Sequence, residues 1–264
     1  MGWVAPSPTE RLVHTLGEHH LLALGVDQKL LPASIVRQEA ERRARIQADS
    51  QGFPVGRRQM RALKMQVLEE LRARALSRRR ITRAWIDPTG GWLVVDSASD
   101  RRAEELLETL RDTLGSLAVQ KLDTERSPSV CMAAWLMQAD ASGAFSIEQD
   151  LELQSGEPAK SIVRYRRHPL DGKEVRAYVA AGKRPTQLGL TWNGRISFVL
   201  TEKLQIKRVE FLEIARERGD DEGVDPAEQF DLDFAVMAGE LAKLIVELLQ
   251  ELDGRQTSGR AAAA

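Results

Sequence analysis

Basic side chains carry the chemistry that stands out in this sequence, and they come in clusters. Arg57, Arg61 and Lys64 are spaced four and three apart, so on a helix they form one cationic stripe. Arg74 follows, then the run Arg78-Arg79-Arg80. Further along, Arg164, Arg166, Arg167 and His168 surround Tyr165, a cationic edge with one aromatic. Lysine and arginine neutralise phosphates without any fixed motif, so clusters of this kind suit a polyanion. The expected mode is contact with the nucleic-acid backbone. Aromatic residues make up only 5% of the chain, too few for an extensive base-stacking platform. No helix-turn-helix or zinc-finger pattern is present to read bases.

The residues of the familiar catalytic motifs are missing. There is no Walker loop, no dinucleotide-binding glycine pattern and no nucleophile elbow. The histidines are His14, His19, His20 and His168, without metal-ligand spacing, and adjacent His19 and His20 point to opposite faces of a strand. A two-metal nuclease needs converging carboxylates, for which Asp220, Asp221, Glu222, Asp225, Asp231 and Asp233 are the candidates. The first four lie in a loop and helix cap, where acids stabilise the positive end of a helix. No cofactor and no metal site is therefore expected, and a metal-dependent exonuclease built on these acids is the alternative reading.

The charge clusters reflect segregation along the whole chain. Arg37–Arg83 holds 14 Lys/Arg against 5 Asp/Glu, Lys160–Arg184 holds 8 against 2, and Glu210–Asp253 holds 3 against 14. The formal total of −1 hides two basic segments and one acidic end.

The elements that must position these residues follow from local patterns. Residues 11–31 read as strand, turn, strand, with the turn at Asp27-Gln28, and Ser34 caps a helix that Gly52-Phe53-Pro54 ends. A second helix runs from about Arg57 to Leu76 and buries Met60, Leu63, Val67 and Leu71. The run Arg78-Arg79-Arg80 then sits at its end, where the dipole favours cations. Ile81–Asp87 and Trp92–Asp96 form a strand pair. Ser99 or Asp100 starts a helix that Gly115 closes, Leu117–Leu122 reads as a strand, and Ser127-Pro128 starts the next helix. Phe145–Leu153 and Lys160–Arg167 read as strands and Asp171–Ala181 as a short helix. Leu188, Leu190 and Trp192 alternate before Asn193-Gly194, and Ile196, Phe198 and Leu200 after it, which marks a type I′ hairpin. Leu204–Phe211 adds a third strand. Asp225-Pro226-Ala227-Glu228 opens the longest helix, whose apolar stripe is Phe230, Phe234, Met237, Leu241, Leu244 and Leu248.

These elements sit in a chain of 264 residues and 29.5 kDa that is 42% hydrophobic and 29% charged, which is the composition of a globular protein. No apolar run reaches the roughly 18 residues of a membrane span. The start Met1-Gly2-Trp3-Val4-Ala5-Pro6 is no secretory signal. Cys131 is the only cysteine, which excludes an internal disulfide framework and fits a reducing cytosol.

Several short blocks, in this order and spacing, resemble the bacterial recombination-associated RdgC family over nearly the whole chain. They are Met1-Gly2-Trp3-Val4, Leu31-Pro32, Ala75–Ser77, Trp85-Ile86-Asp87, Val95-Asp96-Ser97-Ala98-Ser99 and Leu114-Gly115-Ser116-Leu117. Ala181-Gly182-Lys183, the hairpin after Leu188, Phe230-Asp231-x-Asp233-Phe234 and Gly239-Glu240-Leu241 complete them. The resemblance implies a nucleoid-associated α+β protein that binds DNA without marked sequence preference. It implies a ring-shaped homodimer that encircles duplex DNA and restrains the RecA recombinase. It carries DNA contact to Arg74, Arg78 and, above all, Arg166 and Arg167. The family pattern has a further segment before the Gly-Trp-Val element, which this chain is expected to lack, and Leu76 stands where an aromatic is common.

The sequence thus leads to a cytoplasmic, nucleoid-associated α+β protein with antiparallel or mixed sheets and packed helices, and with no membrane partner. The expected organisation is an α+β region over 1–125, a second over 126–254 ending in the long helix, and a disordered tail over 255–264. The expected phosphate contacts are Arg57, Arg61, Lys64, Arg74, Arg78, Arg79, Arg80, Arg164, Arg166 and Arg167.

Overall fold

The computed structural model describes residues 1–8, 10–141, 143–156, 160–212 and 225–252. Asp220, Asp221, Glu222 and the tail 255–264 lie outside the described residues. The fold is α+β, with six helices and two five-stranded sheets among the described residues. The chain divides into two compact units, Met1–Val4 with Ala23–Arg83, and Ala5–Leu22 with Ala84–Ala264.

The first sheet contains β1 (Gly2–Val4), β2 (Val13–Leu16), β3 (His19–Lys29), β4 (Ser77–Asp87) and β5 (Trp92–Val95). Its order is β1-β3-β4-β5, with β2 also paired to β3. The expected turn at Asp27-Gln28 does not form. The chain reverses at Gly17-Glu18, where Gly17 takes φ 58°, and β3 then runs unbroken through Asp27 and Gln28. Pairing to strands distant in sequence holds β3 extended, as in Trp3 opposite Leu24. The β4–β5 pair forms as expected, with Ile86 opposite Leu93, and the Asp87 carboxylate accepts the Gly90 N–H at 2.9 Å to fix the turn.

In the first unit, α1 (Ala33–Gln51) and α2 (Arg57–Arg74) pack as a helical hairpin. Gly52 at φ 79° ends α1, a conformation that favours glycine. Ala40, Ala44 and Val67 are fully or almost fully buried, and Met60, Leu63 and Leu71 are half-buried, so the expected stripe of α2 faces inward. Arg43 joins the helices, donating to Glu39 of α1 at 2.9 Å and to Glu70 of α2 at 2.7 Å.

In the second unit, α3 (Asp100–Leu114) ends at Gly115, as its sequence predicts. Leu117–Leu122 is not a strand; the segment pairs with no neighbour and is irregular, because alternation alone supplies no partner edge. The second sheet runs β10-β9-β8-β6-β7. Its strands are β6 (Phe145–Gln154), β7 (Ile162–Tyr165), β8 (Arg184–Trp192), β9 (Ile196–Thr201) and β10 (Ile206–Phe211). Asn193 and Gly194 take φ 50° and 67° in the β8–β9 turn, the positive angles a type I′ hairpin requires. One core cluster joins Leu153, Leu188, Leu190, Trp192, Ile196 and Leu200 to Met132, Trp135 and Leu136 of α4 (Pro128–Gln138). The short helix α5 (Lys173–Ala180) adds Val175.

The long helix α6 (Pro226–Glu251) serves two clusters in this unit. Its later turns give Leu244 and Leu248 to the large cluster, while Phe234 and Ala238 pack on Leu21 and Trp85. Glu247 of α6 accepts the Trp192 indole N–H at 2.7 Å. None of the helices among the described residues is long and apolar enough to cross a membrane.

Candidate nucleic-acid interface

In the first unit the cationic stripe of α2 stands as its spacing predicts. Arg57, Arg61 and Lys64 are exposed, and none has an ion-pair partner among the described residues. Arg57 is the first residue of α2 and Arg58 the second, and no acid lies in that turn. Cations beside the positive end of a helix cost about 0.3–1 kcal/mol each, so helix stability does not account for them. Arg58 is a cation that the periodic stripe misses; its signal was its place in the first turn. Arg72 and Arg74 occupy the last turn, where the dipole favours them.

The three arginines after α2 need correcting. The helix stops at Arg74, and Arg78, Arg79 and Arg80 lie in β4, so the helix dipole does not hold them there. Beside Arg72 and Arg74, the further cation at the end of α2 is Lys29, which donates to the Ala75 carbonyl at 3.1 Å. Arg78 is exposed. Arg79 makes a two-pronged contact with Asp27 at 2.9 and 3.1 Å, and these hydrogen bonds, with its charge, hold the Asp27 carboxyl below its usual range. Arg80 is half-buried and donates to the Thr82 hydroxyl at 3.3 Å. Strand geometry splits these three residues between the two faces of the sheet.

In the second unit the expected strand Lys160–Arg167 is shorter. β7 ends at Tyr165, so Arg166 and Arg167 leave the sheet, and the face-sharing predicted from strand alternation does not hold beyond it. Arg164 lies directly opposite Glu152 and donates to it at 2.6 Å; its charge is matched, contrary to the reading of a free cationic edge. Glu152 is held low against the cost of its partial burial by Arg164 and Thr186. Tyr165 is not offered to bases. Its ring packs against the large core and its hydroxyl is buried, which pushes its pKa up to about 12, burial first and Glu174 next. Arg166 and Arg167 are exposed, and their side chains have no partner among the described residues. Arg167 takes φ 51°, and its backbone N–H donates to Asp150 at 3.2 Å.

Among the described residues, acidic side chains do not converge on a metal site. Asp231 lies 3.2 Å from His14 Nε2, with the ring N–H poorly aligned for a hydrogen bond. Asp233 accepts the Gln229 amide at 3.0 Å along the same helix. Asp225 precedes α6 with no side-chain cap bond. Among the described residues no group of three or more His, Cys, Asp or Glu side chains is placed to hold a metal ion. The other histidines are separate, His19 lying 3.8 Å from Asp87 and His20 bonding Thr15 at 3.1 Å.

With this geometry in hand, the chain can be set beside known proteins. A family described as "Putative exonuclease, RdgC" matches residues 1–255. The chain is 44% identical over 256 residues to the recombination-associated protein RdgC of Dechloromonas aromatica, covering 96% of this chain and 84% of that protein. It is 45% identical over 255 residues to the protein of that name from Cupriavidus pinatubonensis, covering 97% and 85%. The protein of that name from Bordetella parapertussis is 40% identical over 256 residues, covering 97% and 86%.

Proposed function

This chain belongs to the RdgC family of recombination-associated proteins, and on that premise we propose that it binds DNA through the phosphate backbone, without sequence preference, during homologous recombination. The observation that carries this reading is the exposed cationic face of α2, unpaired among the described residues. Arg57 of that face and the adjacent Arg58 stand at a helix start where electrostatics disfavours cations. Arg166 and Arg167 supply further exposed cations in the second unit, with no side-chain partner among the described residues. In this reading the protein is a ring-forming homodimer of the nucleoid that encircles duplex DNA and restrains RecA.

A titration of mixed-sequence duplex and single-stranded DNA over a salt series tests the reading. With five to eight phosphates neutralised, log K should fall with log salt with a slope of roughly −4 to −7. Scrambling the DNA sequence should leave affinity unchanged. A salt-insensitive complex, or one restricted to a single sequence, would refute it. Light scattering on the purified protein tests the dimer. The family description also raises exonuclease activity. Incubation of end-labelled DNA with Mg²⁺ or Mn²⁺ decides it, because digestion lost in Asp231→Asn with Asp233→Asn would establish the nuclease.

A further inference from the structure

Two backbone irregularities in the second unit meet at one carboxylate. At the end of β7, Arg167 takes φ 51°. In β10 the register slips between Lys207 and Glu210, and Arg208 within that bulge takes φ 52°. Positive φ is uncommon for a residue with a side chain, and bulges often re-aim a side chain beside a functional site. Asp150 of β6 binds both kinks. One of its oxygens accepts the Arg167 backbone N–H at 3.2 Å, and the other accepts Arg208 Nη1 at 2.7 Å.

Beside Asp150 is a notch of about 30 Å³ lined by Arg164, Arg166, Arg208, Gln187 and Glu152. A space of that size admits a water-sized group, and it suits a phosphate oxygen. The Arg208 side chain is 54% exposed and commits one nitrogen to Asp150. Its other N–H groups have no partner among the described residues. Asp150 therefore anchors one edge of a planar donor and leaves the other edge at the notch, beside the exposed Arg166.

We propose that Arg208, held by Asp150, is a phosphate-binding residue that with Arg166 receives a phosphodiester oxygen of nucleic acid at this notch. Asp150 is the positioning residue, an acid that serves anion binding by fixing the cation. The assignment rests on the DNA-binding reading above.

The test compares wild type, Arg208→Gln and Asp150→Asn binding a mixed-sequence duplex across a salt series. Arg208→Gln should lower the salt slope by about 0.9, which makes binding about eightfold weaker at about 0.1 M salt. Asp150→Asn separates position from charge. It removes a negative charge, so long-range electrostatics alone predicts tighter binding; loss of positioning predicts weaker binding and a shallower slope, at an unchanged thermal midpoint in the Arg208→Gln control. Inorganic phosphate at matched ionic strength separates the sources of the anion. A backbone site leaves the Arg208 Nε–H resonance unmoved by phosphate and shifts it with duplex. Wild-type protein that does not bind duplex would overturn the reading of the whole protein, and this assignment with it. Wild-type binding with an unchanged slope in Arg208→Gln overturns the assignment alone. Tighter binding by Asp150→Asn overturns the positioning role, and a resonance that follows free phosphate alone overturns the nucleic-acid ligand.

Discussion

Replacing Arg57, Arg61 and Lys64 together by glutamine sets DNA binding against helix stability. All three side chains are exposed and have no ion-pair partner among the described residues, so their removal breaks no described ion pair and opens no cavity. Glutamine has nearly the same helix propensity as arginine and lysine, so propensity changes by little. At the first position of α2, removing the Arg57 charge relieves a repulsion with the helix dipole of about 0.3–1 kcal/mol. The hairpin should therefore melt at the same temperature as wild type or slightly above it. Binding should move the other way. If each side chain neutralises one phosphate, the salt slope becomes shallower by about 2.7, and affinity at about 0.1 M salt falls by roughly 500-fold. Fluorescence anisotropy over a salt series gives the slope, and a thermal melt of the same samples gives stability. A triple variant with the wild-type slope would remove α2 from the DNA path. A loss of affinity that tracked a lower melting temperature would show that these residues support the fold instead.

Three further outcomes follow from the packing. Arg42 and Arg43 hydrogen-bond Glu39 and hold its pKa down to about 2 from an ordinary 4.5. The folded value is the lower one, so this stabilisation is complete above about pH 4.5 and is lost as the pH falls toward 2. Glu39→Gln should flatten the acid titration followed by circular dichroism; an unchanged acid limb would contradict this. Glu247→Ala leaves the indole N–H of almost fully buried Trp192 without its acceptor, and should cost about 1–3 kcal/mol in denaturant unfolding. Gly90→Ala would place a methyl 2.5 Å from the Asp87 carboxylate and 2.7 Å from the Trp92 ring in the β4–β5 turn, and should cost about 1–3 kcal/mol. A thermal midpoint equal to wild type would show that the turn yields.

Elements governed by near neighbours in the chain were legible before any fold was known. The Asn193-Gly194 hairpin, the Ser127-Pro128 helix start and the apolar stripes of α2 and α6 all appear where residue type and spacing put them. The cationic face of α2 is legible for the same reason, because residues four and three apart share a helix face whatever the helix packs against. Readings that needed a partner from elsewhere were not. Asp27-Gln28 has the composition of a turn, yet β3 stays extended there and Asp27 faces Arg79, 52 residues away. Leu117–Leu122 has the pattern of a strand and no edge to join. The exposed charge of Arg166 and the matched charge of Arg164 are indistinguishable in a run of arginines; only the β6–β7 register places Glu152 opposite one of them. Arg208 carried no signal at all, since its anchor lies 58 residues away on another strand. Sheet register brings such side chains together, and register is set by backbone pairing between distant segments, which local propensity does not encode.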